Sequence, residues 1–286
     1  MDVETHLERT SSRAPVLPEP VPRRWLWLSL PIAGLAMGAS LAGILIDAIY
    51  AGETANWATQ AVGQDVANVA VAYPALLVLA LLAARGSLRA ALAWMGVLVY
   101  SAYTFAIYAF SVSFGPLFLV YVAVLGLSVY ALIGGLTSLS PERVAASVAP
   151  RTPVRSAAIL LMAIASAFAL LWLAEILPAA FAGTTPNALV EVGLPTNPVH
   201  VLDLGLLLPA AMIAGVLLLR GRALGYVLAP VILVALIALG VGIVSVVAVA
   251  PLRGEDAAPA VGVVMGALTL GQLLVVTRFL RGVRGS

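Results

Sequence analysis

Two short motifs carry most of the side chains that could do chemistry in this chain. Asp65-x-x-Asn68 and His200-x-x-Asp203 each set two polar groups three residues apart, and they are related by a common offset of 135 residues. Spacing i, i+3 puts both side chains of a motif on one face of a helix. Carboxylate, imidazole and amide are suitable donors for a divalent cation, so Asp65, His200 and Asp203 form a candidate metal set if the two faces meet. Without a metal the same groups suit a cationic or amphiphilic small molecule, with Glu175 as a further acid. The bland alternative is helix capping, because Asp and Asn stabilise a first turn.

A hydroxyl stripe at Ser101, Thr104, Tyr108 and Ser111 follows one helical face, with Tyr100 and Tyr103 beside it. A pocket bordered by Asp65, Asn68, Tyr103 and Tyr108 would offer aromatic faces and a carboxylate to a cation. The alternative is that the hydroxyls bond neighbouring helices and the tyrosines form an interfacial belt.

The elements that must hold these groups are membrane spans. Of 286 residues, 62% are hydrophobic and 10% charged, far from the roughly 25% charged residues of a soluble domain. Apolar runs at 25–46, 66–84, 88–112, 116–138, 155–180, 200–219, 223–250 and 258–279 each exceed the ~17 residues needed to cross hydrocarbon. They are continuously apolar rather than alternating, which predicts helices and not barrel strands. The expected fold is all-α: a polytopic membrane protein of eight transmembrane helices. The first run is longer than the 7–15 apolar residues of a cleavable signal and reads as a retained span.

All fifteen basic residues are Arg, and fourteen fall on one side of the expected topology, leaving Arg253 opposite. Positive charge near span ends is retained in the cytoplasm, so both termini are expected there, in the cell membrane. Asp47, Glu53, Asp65, Glu175, Glu191, Asp203, Glu255 and Asp256 fall on the other side, where their field would concentrate cations. The segments 48–65, 112–116, 181–199 and 251–257 are expected to face outward.

Self-comparison predicts a duplication. Pro22-Arg23-Arg24 matches Pro153-Val154-Arg155 at an offset of 131, and Pro74 and Arg85-Gly86 match Pro209 and Arg220-Gly221 at 135. Four spans per copy make a parallel 4+4 internal repeat with a pseudo-twofold along the membrane normal. The expected organisation is a disordered cytoplasmic tail (1–24), a first four-helix repeat (25–138), a cytoplasmic linker (139–154), a second repeat (155–280) and a short tail (281–286). Gly34-x-x-x-Gly38 and Gly262-x-x-x-Gly266 predict close helix contacts, within the chain or in a homo- or hetero-oligomer.

Several chemistries are excluded. The chain has no Cys, hence no iron–sulfur cluster, thiolate metal site or cysteine nucleophile. It has no Lys and no nucleotide-binding motif, and nothing points to nucleic acid. Eight spans in halves of four resemble the haem A synthases in span count alone. Those use histidines from both halves, whereas His200 is the only histidine in a span here, so one chain cannot hold a bis-His haem. The functional expectation is a permease or ligand-binding membrane protein with an outward-facing acidic site for a cationic or amphiphilic small molecule or divalent metal. The alternatives are an outer-leaflet enzyme acting on a lipid-linked substrate, with Asp65 or Asp203 as base, and a packing subunit of a larger complex.

Overall fold

A computed structural model describes residues 21–256 and 258–284. Eight helices are long and apolar enough to cross a bilayer: α1 (Arg23–Leu45), α2 (Ala55–Ala84), α3 (Leu88–Ser111), α4 (Phe118–Thr137), α5 (Val154–Ala182), α6 (Pro198–Leu219), α7 (Ala223–Arg253) and α8 (Pro259–Gly282). The chain is a multi-pass membrane protein. Its connections are short, so successive helices run antiparallel and the bundle has an arginine end and an acidic end.

Two features of α2 and α6 place the polar residues. Pro74 and Pro209 lack the N–H that would bond the fourth residue back, and their rings crowd that carbonyl. Just before each proline the helix widens into one π turn, Asn68–Ala72 in α2 and Asp203–Leu207 in α6. Tyr73 and Leu208 accordingly donate five residues back, to the carbonyls of Asn68 and Asp203. Such turns shift the register of side chains relative to a straight helix. In both spans the wide turn begins on a polar residue of the i, i+3 motif. Each span then ends at a glycine with positive φ, Gly86 and Gly221.

The start of α2 differs from expectation. Residues 55–65 are not a loop but helix, capped by the Thr54 hydroxyl, which accepts from the Trp57 amide at 3.2 Å. Asp65 is therefore ten residues into the span, about 15 Å along its axis. Asp203 lies inside α6, whose start is capped by Asn197. The capping explanation fails for Asp65, Asn68 and Asp203.

The most enclosed span is α3, which packs against α7 at the centre. Around them α4 and α2 cover α3, while α8 and α6 cover α7; α1 and α5 complete the two halves. Two further seams join the halves, α2 against α7 and the start of α6 against α3. Small residues set the close approaches. A β-carbon on Gly96 would lie 2.6 Å from the Val231 carbonyl of α7, and one on Gly215 would lie 2.9 Å from the Ala158 carbonyl of α5. The Gly34 and Gly38 pair, expected at a helix contact, has nothing within 4 Å, whereas a β-carbon on Gly262 would lie 3.0 Å from the Val247 side chain of α7 and one on Gly266 would lie 4.0 Å from Val244.

At the arginine end the linker is not free. Val148 and Val283 form an antiparallel bridge, with Ala149 N bonded to Gly282 O and Arg284 N to Ser147 O, both at 2.8 Å. Arg89 at the start of α3 donates to the Val283 carbonyl at 2.7 Å. A cation on the carbonyls that end a helix is the favourable arrangement. Of the tails, Arg23, Arg24, Arg281 and Gly282 belong to helices; the tail expected over 1–24 otherwise lies outside the described residues except Val21 and Pro22.

Candidate functional site

The two motifs take their partners from different places. Asp65 is fully buried and accepts from two phenols, Tyr50 at 2.7 Å on Oδ2 and Tyr108 at 3.0 Å on Oδ1. Tyr50 lies in the loop between α1 and α2, and its phenol is held far above the ordinary value by burial and then by the Asp65 carboxylate. Gly43 makes room for this pair, since a β-carbon there would collide with Asp65 Oδ2. Asn68 donates to the Ser40 hydroxyl at 3.0 Å and accepts from Tyr100 at 2.6 Å. Gln64 in turn donates to the Tyr100 hydroxyl.

The expected hydroxyl stripe of α3 points into this first half. Ser101 shares hydrogen bonds with Tyr73 at 3.0 Å and Ser128 at 2.9 Å, so α2, α3 and α4 are tied through hydroxyls. Thr104 and Tyr121 are buried, and their hydroxyls have no partner among the described residues. Tyr73, Phe105, Tyr108 and Tyr121 stack edge to face around the network. Apart from the partly exposed Gln64, these polar groups are closed off from the surface.

The second motif builds a different cluster at the α3–α6 seam. Asp203 accepts from Tyr103 of α3 at 2.9 Å and from the Trp172 indole of α5 at 2.8 Å. His200 lies beside the same indole, ring centroids 4.5 Å apart and planes tilted by 41°. Its Nε2 is 3.8 Å from Glu175 Oε2. The other oxygen, Glu175 Oε1, is buried and has no partner among the described residues. The cluster is not sealed: the Glu175 side chain is 33% exposed, and Leu171 of the same helix and Val201 and Leu206 of α6 are exposed.

Of the residues singled out in the sequence, Tyr103, Glu175, His200 and Asp203 are thus brought together, and Asp65, Asn68 and Tyr108 form a separate buried set. No hydrogen bond joins the two sets; Tyr100 and Tyr103, one turn apart on α3, belong to one each. Among the described residues no three His, Asp or Glu side chains gather to hold a metal, because the two motifs face different seams. Asp47 is exposed in the α1–α2 loop, in neither set. Tyr50, Ser40 and Trp172 were missed in the sequence. Their contacts span 15, 28 and 31 residues, and no local spacing signals them.

Comparison of the chain with protein-family models, with curated proteins and with solved structures returns no match.

Proposed function

We propose that this membrane protein is a permease or ligand-binding protein for a cationic amphiphile, held by Glu175, His200, Asp203, Trp172 and Tyr103. The observation that carries the reading is the buried, unpartnered Oε1 of Glu175. A carboxylate oxygen taken from water without a donor is costly, and a cationic or hydrogen-bonding headgroup would supply what it lacks. The Trp172 and His200 rings beside it offer π faces to a quaternary or primary ammonium. Both oxygens of Asp203 are occupied by Tyr103 and Trp172, so its part is to orient the indole while Glu175 meets the ligand. Exposed Leu171, Val201 and Leu206 would leave the ligand's tail among lipid chains, which favours an amphiphile arriving laterally.

In this reading the acidic end faces outward and both termini are cytoplasmic in the cell membrane, as the arginine bias of the connections supports. The two halves are copies related by a pseudo-twofold along the normal. Support comes from the wide turns before Pro74 and Pro209, which begin 135 residues apart, as do the positive-φ glycines that end the two spans. The copies have diverged at the site, since Asp65 stands where the other half has His200, and Asn68 where it has Asp203.

The test is binding of an alkyltrimethylammonium amphiphile to the protein in phosphatidylcholine nanodiscs, followed by tryptophan fluorescence. Saturable quenching is expected, absent with an uncharged glucoside of the same chain length and lost in Trp172→Phe. Equal responses to both amphiphiles would end the proposal.

A further inference from the structure

Asn56, Gln60, Gln64 and Asn68 recur at every fourth position of α2, which lines four carboxamides along one helical face. The row is about 18 Å long. Polar side chains inside a span are expensive, and they are usually kept where a solute or water must pass. Gln60 donates to Asn56 Oδ1 at 2.6 Å, and the inner end continues from Gln64 through the Tyr100 hydroxyl to Asn68. Between Gln64 and Asn68 along the helix lies the buried Asp65 with its two phenols.

The row runs in the seam where α2 meets α7. Gly242 of α7 lies against the Gln64 carboxamide, and a β-carbon at 242 would collide with it. Toward the acidic end the seam widens into a cavity of about 570 Å³, lined by Asn56, Thr59, Gln60, Glu191, Glu255 and Asp256 among others. None of its lining residues is basic. Thr59 is 4% exposed and lines this space, which is large enough for a small solute.

We infer that the α2–α7 seam is an aqueous vestibule for small water-soluble cations, open from the acidic end as far as Gln60 and closed at Gln64 by Tyr100 and Gly242. Carboxylates at the mouth raise the local concentration of cations. Carboxamide oxygens then replace water around the solute without trapping it as a charge would, and each amide also donates to water or to a neighbour. The vestibule is separate from the Glu175 site, which lies in the α3–α6 seam and is reached from the lipid.

Because the chain has no cysteine, single-cysteine variants report access directly. Thr59→Cys, Gln60→Cys and Gln64→Cys are treated in phosphatidylcholine nanodiscs with a cationic trimethylammonium-ethyl thiosulfonate and with an anionic sulfonato-ethyl one. Each rate is taken relative to that of a free thiol, and Thr185→Cys serves as the exposed reference. Thr59→Cys and Gln60→Cys should react, the cation at least about tenfold faster, and Gln64→Cys should be far slower. Adding Glu255→Gln and Asp256→Asn should remove most of the preference. If Gln60→Cys does not fold, Asn56→Cys gives the same reading. Failure of both reagents at positions 59 and 60 while Thr185→Cys reacts would overturn the inference. So would equal relative rates, or a preference that survives loss of the two carboxylates. None of these outcomes depends on whether an amphiphile binds at Glu175.

Discussion

Gly63 of α2 meets the backbone of Val246 in α7 so closely that a β-carbon on Gly63 would stand 2.5 Å from the Val246 α-carbon. Backbone cannot yield as a side-chain tip can. The seam between the halves is therefore set by the absence of a side chain at this position, and the carboxamide row beside it depends on that spacing.

Gly63→Ala should force α2 and α7 apart and cost about 1–3 kcal/mol, the usual range for overpacking. Gly96→Ala, against the Val231 carbonyl, should behave alike. Gly34→Ala and Gly38→Ala, with open space around them, should stay within about 0.5 kcal/mol. Thermal unfolding in one detergent ranks the four variants, and equal losses at Gly34 and Gly63 would contradict the assignment.

Asp65→Ala removes the acceptor of two buried phenols, Tyr50 and Tyr108. Tyr108 keeps the Ala61 carbonyl as a second acceptor at 3.1 Å, so the Tyr50 hydroxyl is the one left without a partner, at a cost of about 1–3 kcal/mol. Asp65→Asn keeps one carbonyl oxygen in place and should lose clearly less. Equal melting points for the two variants would mean that the Tyr50 phenol also has another acceptor.

Cysteines at Ser113 and Thr185 should react with an impermeant thiol reagent in intact cells, and one at Ser87 only after permeabilisation. Labelling of Ser87 in intact cells would invert the proposed orientation.

The proposed duplication predicts that, in a cryo-EM map of the protein in nanodiscs, α1–α4 superpose on α5–α8 by a rotation of about 180° around the membrane normal. Pro74 should then fall on Pro209 and Asn68 on Asp203. An inverted relation would reduce the matched offsets to coincidence.

The spans were largely legible because hydrocarbon demands long apolar runs, and seven of the eight start within a few residues of expectation. The exception is instructive. Asn56, Gln60, Gln64 and Asp65 broke the apolar run, so α2 was expected at 66 and begins at Ala55. The repeat of those amides every four residues was the signal of a helix with a polar face, and hydropathy alone averages it away. The first of the small-residue motifs misled for a related reason. Gly34 and Gly38 share a face, but spacing does not say whether a neighbour stands before it, whereas Gly63, Gly96 and Gly215 make close contacts without belonging to the motifs noted. The side chains of the i, i+3 motifs are all buried, but their spacing did not give their destinations. Asp203 is oriented by Trp172 and Tyr103, and Asp65 by Tyr50 and Tyr108, through contacts between helices that only the bundle defines.

The most direct test of the proposed function is calorimetric titration of the alkyltrimethylammonium amphiphile into nanodiscs carrying the native chain or Glu175→Gln. The substitution keeps the shape of the side chain and removes the charge that the ligand would neutralise. Affinity should fall at least about tenfold, a difference of about 1.4 kcal/mol, with unfolding temperature unchanged. Equal affinity for the two proteins would contradict a cation site at Glu175.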